Sequence, residues 1–120
     1  MKLKSINVLM KKIILLLVFV MSLSVVSAQT TTSYTVENTN NGLVSNTITC
    51  IEIDSKGVIW IGTEKGVSRF DGTNWVTYTK ENTNNGLVSD DIYCISFDKQ
   101  GNTWFGTFKG ASKFDGISWM

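Results

Sequence analysis

Carboxylates next to aromatic residues are the side chains of this sequence best suited to chemistry. Asp90, Asp91 and Tyr93 fall within one short stretch, and Phe108 follows later in the chain. Carboxylate oxygens accept hydrogen bonds from hydroxyl groups, and an aromatic ring offers an apolar surface on which the C–H faces of a sugar can pack. The four residues therefore predict a binding site for an oligosaccharide or a similar polar ligand. A solvated surface without a ligand is the alternative that the sequence leaves open.

These four residues stand out because they interrupt an internal repeat. Residues 34–75 align with residues 78–119 without a gap, and 26 of the 42 aligned pairs are identical. Positions shared by the two copies are explained by a common scaffold, whereas positions that differ are candidates for a binding function. The differing pairs at the candidate site are Asn46 and Asp90, Thr47 and Asp91, Thr49 and Tyr93, and Glu64 and Phe108.

Groups that could catalyse a reaction are few. The sequence has no histidine, so it offers neither an imidazole metal ligand nor a His-based acid and base, and we expect no metal site and no cofactor. Asp54 and Asp98 could form the carboxylate pair of a glycosidase. Both recur at one place in the repeat, however, and a glycine follows each three positions later, as a turn requires. We therefore predict a protein that is not an enzyme.

The spacing of the two copies predicts the elements that position these residues. The copies are 44 residues apart (81 − 37), and a period of about 40–45 residues built of short apolar runs and glycine turns is typical of a β-propeller blade. We predict an all-β chain of about two four-stranded blades, with residues 29–36 adding an outer strand ahead of the first blade. The predicted strands are Thr47–Ile53, Val58–Thr63, Val67–Phe70 and Trp75–Thr79, with Asp91–Phe97 and Asn102–Thr107 opening the second copy.

The alternation of strand direction determines which loops share a face. The loops before the first strand and after the second strand of each copy lie together, and long polar loops on a rigid scaffold often carry binding residues. We call this side the long-loop face; it contains residues 38–46 and 82–90, Glu64, Lys65, Phe108 and Lys109. We expect Trp60 and Trp104 to pack between blades. The strand Thr47–Ile53 is apolar on both faces, which predicts that both are covered.

Residues 1–28 have the layout of a signal peptide. Lys2, Lys4, Lys11 and Lys12 precede the uncharged apolar stretch Ile13–Val26, and small residues lead to Ala28. A membrane anchor needs about 20 apolar residues, which this stretch does not reach. We predict cleavage after Ala28 and export to the periplasm or the medium, which leaves residues 29–120 as a partial propeller with repeats near 34–77 and 78–120.

The charge that remains after cleavage limits the possible partners. Removing four lysines leaves 7 basic residues (11 − 4) against 10 acidic ones, a net charge of −3. A mildly acidic surface without a basic patch argues against nucleic acid as a partner. We also expect the mature chain not to span a membrane.

Two blades are too few for a closed propeller. Propellers close with about four to eight blades, so we expect this chain to be the N-terminal part of a longer protein whose remaining blades are its partners. The competing interpretation is part of a propeller-fold glycan hydrolase with its catalytic residues in those blades. Cys50 and Cys94 occupy equivalent positions in successive blades, about 10 Å apart, and are predicted to remain free thiols because a disulfide needs Cα atoms within about 7 Å.

The repeats resemble a known family. In the first copy, Leu43–Asp54, Gly57–Thr63 and Gly66–Phe70 are similar to the two-component regulator propeller repeat, and Leu87–Asp98, Gly101–Thr107 and Gly110–Phe114 resemble it again. The best-known members form the periplasmic sensor region of hybrid histidine kinases in bacteria that detect and degrade glycans, and others are free-standing exported propellers. The resemblance implies a ligand-sensing or interaction module. The chain departs from the kinase pattern because it carries no kinase or receiver segment.

Overall fold

The computed structural model describes residues 7–16 and 27–120. Residues 1–6 and 17–26, which include most of the predicted signal peptide, lie outside the described residues. The chain divides into two compact units, Met1–Thr32 and Ser33–Met120. Residues 7–16 of the first unit form a helix. Within the described ranges, no helix is both long and apolar enough to cross a membrane.

The second unit consists of two antiparallel sheets, one from each repeat. The first has the order β1-β2-β3-β4 and the second the order β5-β6-β7. A single bridge between Phe114 and Trp119 takes the place of a fourth strand in the second sheet. The prediction of an all-β chain with two propeller-type blades is confirmed. The strands are β1 (Ile48–Ile53), β2 (Ile59–Thr63), β3 (Gly66–Phe70), β4 (Trp75–Tyr78), β5 (Ile92–Phe97), β6 (Thr103–Thr107) and β7 (Gly110–Phe114).

Aspartate residues build the turns between the first two strands of each sheet. The Oδ1 atom of Asp54 accepts hydrogen bonds from the backbone N–H groups of Lys56 (2.9 Å) and Val58 (3.0 Å). Gly57 has a φ of 79°, in the left-handed region that glycine adopts without steric cost. Asp98 makes the equivalent bonds in the second repeat. The turn chemistry predicted for both aspartates is confirmed.

The outer strand predicted for residues 29–36 is wrong. Residues 27–35 have no regular structure, and a turn begins at Val36. A strand needs a neighbour for its backbone hydrogen bonds, and within residues 27–120 no strand lies in front of β1 in the chain. Tyr34 still packs on the first sheet, with its ring centroid 5.7 Å from those of Phe70 and Trp75.

The core lies between the two sheets. Trp60, Val67, Ile95 and Phe105 are buried there, and Cys50 and Cys94 are free thiols, as predicted. The expectation that the first strand is covered on both faces is wrong for this structure, because Ile51 on β1 is 57% exposed. The second sheet covers only one face of β1, and the described residues leave the other face open.

Candidate functional site

Three of the four predicted site residues lie at one end of the second sheet. Ile92 pairs with Thr107 at that end of the β5–β6 ladder, and the N–H of Phe108 donates to the carbonyl of Asp91 over 3.0 Å. Tyr93 occupies the bulge between Ile92 and Cys94. The side chains of Tyr93 and Phe108 are 54% and 66% exposed. The fold therefore places Asp91, Tyr93 and Phe108 at the same end of the sheet, with both aromatic rings exposed.

Asp90 has a structural bond that the sequence did not reveal. Its Oδ1 atom accepts a hydrogen bond from the backbone N–H of Lys80 over 2.6 Å. In the first repeat the Oδ1 atom of Asn46 accepts from the N–H of Val36 over 2.8 Å. An amide oxygen and a carboxylate oxygen therefore brace the same loop at equivalent places. This bond fixes Asp90 at the base of the loop before β5.

The loop before β5 is held firmly against its own sheet. Asn84 and Asn85 have φ angles of 53° and 65°, in the left-handed region where asparagine is enriched among residues other than glycine. The Thr83 hydroxyl oxygen accepts the N–H of Leu87 (2.9 Å), and the Ser112 hydroxyl oxygen accepts the N–H of Val88 (2.9 Å). These bonds hold the end of the loop before β5 against β7, the strand that carries Ser112.

Glu64 adds an acceptor in the first repeat, at the position that corresponds to Phe108. The Ser45 hydroxyl donates to its Oε1 atom over 2.8 Å, and this bond is the main reason why the pKa of Glu64 lies below its usual value. Its Oε2 atom is buried and has no hydrogen-bond partner among the described residues. The sequence comparison identified Glu64 as a differing position but could not show the free oxygen, which depends on how the loop before β1 folds over it.

A groove of about 530 Å³ opens between the sheets at the opposite end of the strands. The sequence did not predict it. The aromatic side chains of this groove belong to Trp60, Tyr78, Phe97 and Phe114, and its charged side chains belong to Asp54, Lys56, Arg69, Asp98 and Asp115. The Arg69 guanidinium lies 5.5 Å from the centre of the Trp60 ring, a cation–π arrangement. Aromatic rings and cations thus share one concave surface.

The groove carboxylates are engaged in local hydrogen bonds. The Trp60 indole N–H donates to Asp54 Oδ2 over 3.1 Å, and the Trp104 indole N–H donates to Asp98 Oδ2 over 2.9 Å. The bond from Trp104, followed by one from Asn102, lowers the pKa of Asp98 to about 2. These aspartates therefore serve the turns. Among the described residues, no three His, Cys, Asp or Glu side chains converge as a metal site would require.

Comparison with known families fits this geometry. The family model described as "Two component regulator propeller" matches residues 42–65 and 86–109. The chain therefore carries two copies of this propeller repeat. No curated protein matches the chain. Each matched segment of the propeller repeat runs from the loop before the sheet through its first two strands.

All four predicted site residues fall inside the second propeller repeat match. Asp90, Asp91, Tyr93 and Phe108 lie within residues 86–109, so they belong to the repeat itself and not to a segment added to it. The repeat indicates a propeller module of a two-component-type regulator. The four residues are therefore positions at which one blade of such a module differs from its neighbour.

Proposed function

We propose that this chain is an exported ligand-sensing or interaction propeller module that binds an oligosaccharide or a similar polar ligand without altering it. The ligand lies on the long-loop face. The proposal is supported by the family of the repeat and by the surface that the loops form at one end of the second sheet.

The observation that carries the proposal is that two exposed aromatic residues and an aspartate lie at one end of the second sheet. The side chains of Tyr93 and Phe108 are more than half exposed although both are large and aromatic. The backbone N–H of Phe108 donates a hydrogen bond to the backbone carbonyl of Asp91. Sugar hydroxyls need acceptors, while the C–H faces of a sugar ring pack on aromatic carbon. In this arrangement Tyr93 and Phe108 contact the ring faces, and Asp91 accepts from hydroxyl groups.

Asp90 and Glu64 add further carboxylates to the long-loop face. One oxygen of Asp90 braces the loop, which leaves the second oxygen for a ligand. The Oε2 atom of Glu64, which has no hydrogen-bond partner among the described residues, is a further acceptor that water would satisfy.

Export is part of the proposal because of the sequence of residues 1–28. The basic start, the apolar stretch and the small residues before Ala28 form the signal-peptide pattern. Peptide sequencing of the mature protein from cells that produce the full chain tests this point. A mature N-terminus at Gln29 is expected, and a retained Met1 would contradict export by cleavage.

Binding is preferred to catalysis because of the groove carboxylates. Asp54 and Asp98 each accept hydrogen bonds from their own turn and from an indole N–H, so neither is placed as a free acid or nucleophile. The competing function, a propeller hydrolase with catalytic residues elsewhere, predicts turnover of the bound sugar. Product analysis separates the two functions.

Calorimetry with a panel of soluble neutral and uronate-containing oligosaccharides tests the site. At least one sugar should bind, and Tyr93→Ala and Phe108→Ala should each weaken binding at least tenfold. Lys56→Ala is the control, because Lys56 lines the groove on the opposite face, and it should leave affinity unchanged. No binding by any sugar, or unchanged affinity in both ring variants, overturns the proposal. Loss of binding in Lys56→Ala alone would move the site to the groove.

A further inference from the structure

The contact between the two sheets defines two complementary surfaces. One is the side of the first sheet that carries Trp60, which we call the Trp face. The other is the side of the second sheet that carries Ile95, which we call the Ile face. The Trp60 ring lies 5.9 Å from that of Phe105 and 6.5 Å from that of Phe114. At this junction Trp60 and Ile95 are each 4% exposed.

Each sheet also carries the other surface, and both of these lie open. The Ile face of the first sheet contains Ile51, the counterpart of Ile95, which is 57% exposed. The Trp face of the second sheet contains Trp104, the counterpart of Trp60, which is 43% exposed. Single exposed apolar residues are ordinary. Here, however, the exposed residues are repeat copies of residues that are buried against each other within the same chain.

We propose that a second copy of this chain docks head to tail, so that the Trp face of one copy's second sheet covers the Ile face of the next copy's first sheet. The junction would repeat the contact that already joins the two sheets. The Lys113 ammonium lies 5.6 Å from the centre of the Trp104 ring, as Arg69 lies over Trp60. The docking surface therefore keeps both the ring and the cation of the internal junction.

Tyr34 shows that the open Ile face accepts the same contacts as the covered one. At the internal junction Tyr78, from the last strand of the first sheet, packs on Phe114 and Trp119 at 5.6 and 5.5 Å. Tyr34 precedes Tyr78 by 44 residues (78 − 34) and packs on Phe70 and Trp75 at 5.7 Å. Tyr34 thus makes on the first sheet the contacts that Tyr78 makes on the second sheet. A second copy would add the rest of the neighbouring sheet.

The geometry of this contact favours a ring. The two surfaces differ, so the contact is heterologous, and such contacts continue until the rotation between copies closes. Two to four copies would supply the roughly four to eight blades of a propeller. In such an assembly each open face is covered by the counterpart face of the next copy.

Sedimentation and light scattering of the purified full chain test the proposal. We expect a closed oligomer of two to four copies that dissociates on dilution. Trp104→Ala and Ile51→Asp should each weaken self-association at least tenfold. The control is Ile117→Asp, because Ile117 is 91% exposed but lies in a turn outside both faces, and this variant should assemble like the wild type. Circular dichroism checks that each variant is folded, and Ile53→Asp replaces Ile51→Asp if the latter is not.

Mixing the two variants tests the head-to-tail arrangement itself. Trp104→Ala retains an intact Ile face and Ile51→Asp retains an intact Trp face, so the mixture should form a heterodimer that neither variant forms alone. A chain that stays monomeric at its highest soluble concentration overturns the proposal. A mixture without heterodimer overturns it as well, because a contact between two identical faces would leave one of the variants fully assembled.

Discussion

Trp60 and Trp104 occupy equivalent positions in the two repeats but should contribute differently to the free energy of unfolding. Each indole N–H donates to the aspartate of its own turn, so the local chemistry is shared. Trp60 is 4% exposed and Trp104 is 43% exposed, because only Trp60 faces a neighbouring sheet within the described residues. Burial, and not the hydrogen bond, separates the two positions.

Trp60→Ala should lower the free energy of unfolding by about 3–5 kcal/mol, as expected for a large buried aromatic residue. Urea denaturation at one fixed chain concentration measures the loss. Ile117→Ala serves as the control, since a substitution at an exposed turn should change stability by no more than about 0.5 kcal/mol. Equal unfolding midpoints for Trp60→Ala and the wild type would show that the sheets do not pack in solution as described.

Asp98 should make the stability of the chain depend on pH in the acid range. Its pKa in the folded chain is about 2, below the ordinary value of 3.8, so the unfolded chain takes up the proton first as pH falls. The stabilisation is therefore complete above the ordinary value and is lost as pH decreases towards 2. Thermal melts of the wild type and Asp98→Asn should differ at pH 6 and converge near pH 2. A constant difference across this range contradicts the assignment.

At the scale of the strand, glycine determines how closely elements approach. A Cβ atom on Gly62 of β2 would lie 2.5 Å from Cys50 Sγ and 2.8 Å from Ile92 Cγ2 of the other sheet. A Cβ atom on Gly106 of β6 would overlap Cys94 Sγ and would otherwise approach only the Cys94 carbonyl oxygen. Gly62 therefore serves packing both within and between sheets, whereas Gly106 serves its own sheet here.

This difference predicts that removing the cysteine side chain rescues the stability of the two glycine variants to different extents. Gly62→Ala should cost about 1–3 kcal/mol through overpacking, and adding Cys50→Ala should restore only part of the loss because Ile92 remains in the way. Gly106→Ala combined with Cys94→Ala should come close to the stability of Cys94→Ala alone. Chemical denaturation of the four variants measures both effects. Full rescue of Gly62→Ala by Cys50→Ala would place Ile92 outside the contact.

The strands could be read from the sequence because their signals are local. The short apolar runs and the aspartate turns between them predicted β1 and β2 to within one residue. The turn bonds of Asp54 and Asp98 follow from chemistry inside four residues. The predicted strand at residues 29–36 failed because strand formation there depends on a neighbour. Local propensity cannot supply that neighbour.

The candidate site could be read only in part, for the same reason. The repeat comparison identified Asp91, Tyr93 and Phe108 as positions that differ, and the ladder does bring them to one end of the sheet. It could not show that Asp90 braces a loop, nor that an oxygen of Glu64 is buried without a partner. Those properties arise from contacts between residues 10 and 19 positions apart in the chain, which a local sequence pattern does not encode.

At the scale of the whole molecule, the open faces should make the stability of the folded chain depend on its concentration. Within residues 27–120, the junction between the two sheets is buried. The Ile face of the first sheet and the Trp face of the second sheet remain exposed. Association that occurs only in the folded state stabilises that state by mass action. A chain whose exposed faces match each other should therefore gain stability as its concentration rises.

The thermal unfolding midpoint of the wild-type chain should increase with protein concentration. The midpoint of Trp104→Ala should stay nearly constant, close to the value of the wild-type chain at its lowest concentration. Trp104→Ala removes the ring that one face offers but leaves the internal junction at Trp60 untouched, so its monomer should melt like a dilute wild-type monomer. Differential scanning calorimetry over a hundredfold concentration range measures both midpoints. A wild-type chain that melts cooperatively at one temperature throughout, as a monomer, would mean that two blades suffice and that the exposed Ile51 and Trp104 side chains carry no assembly.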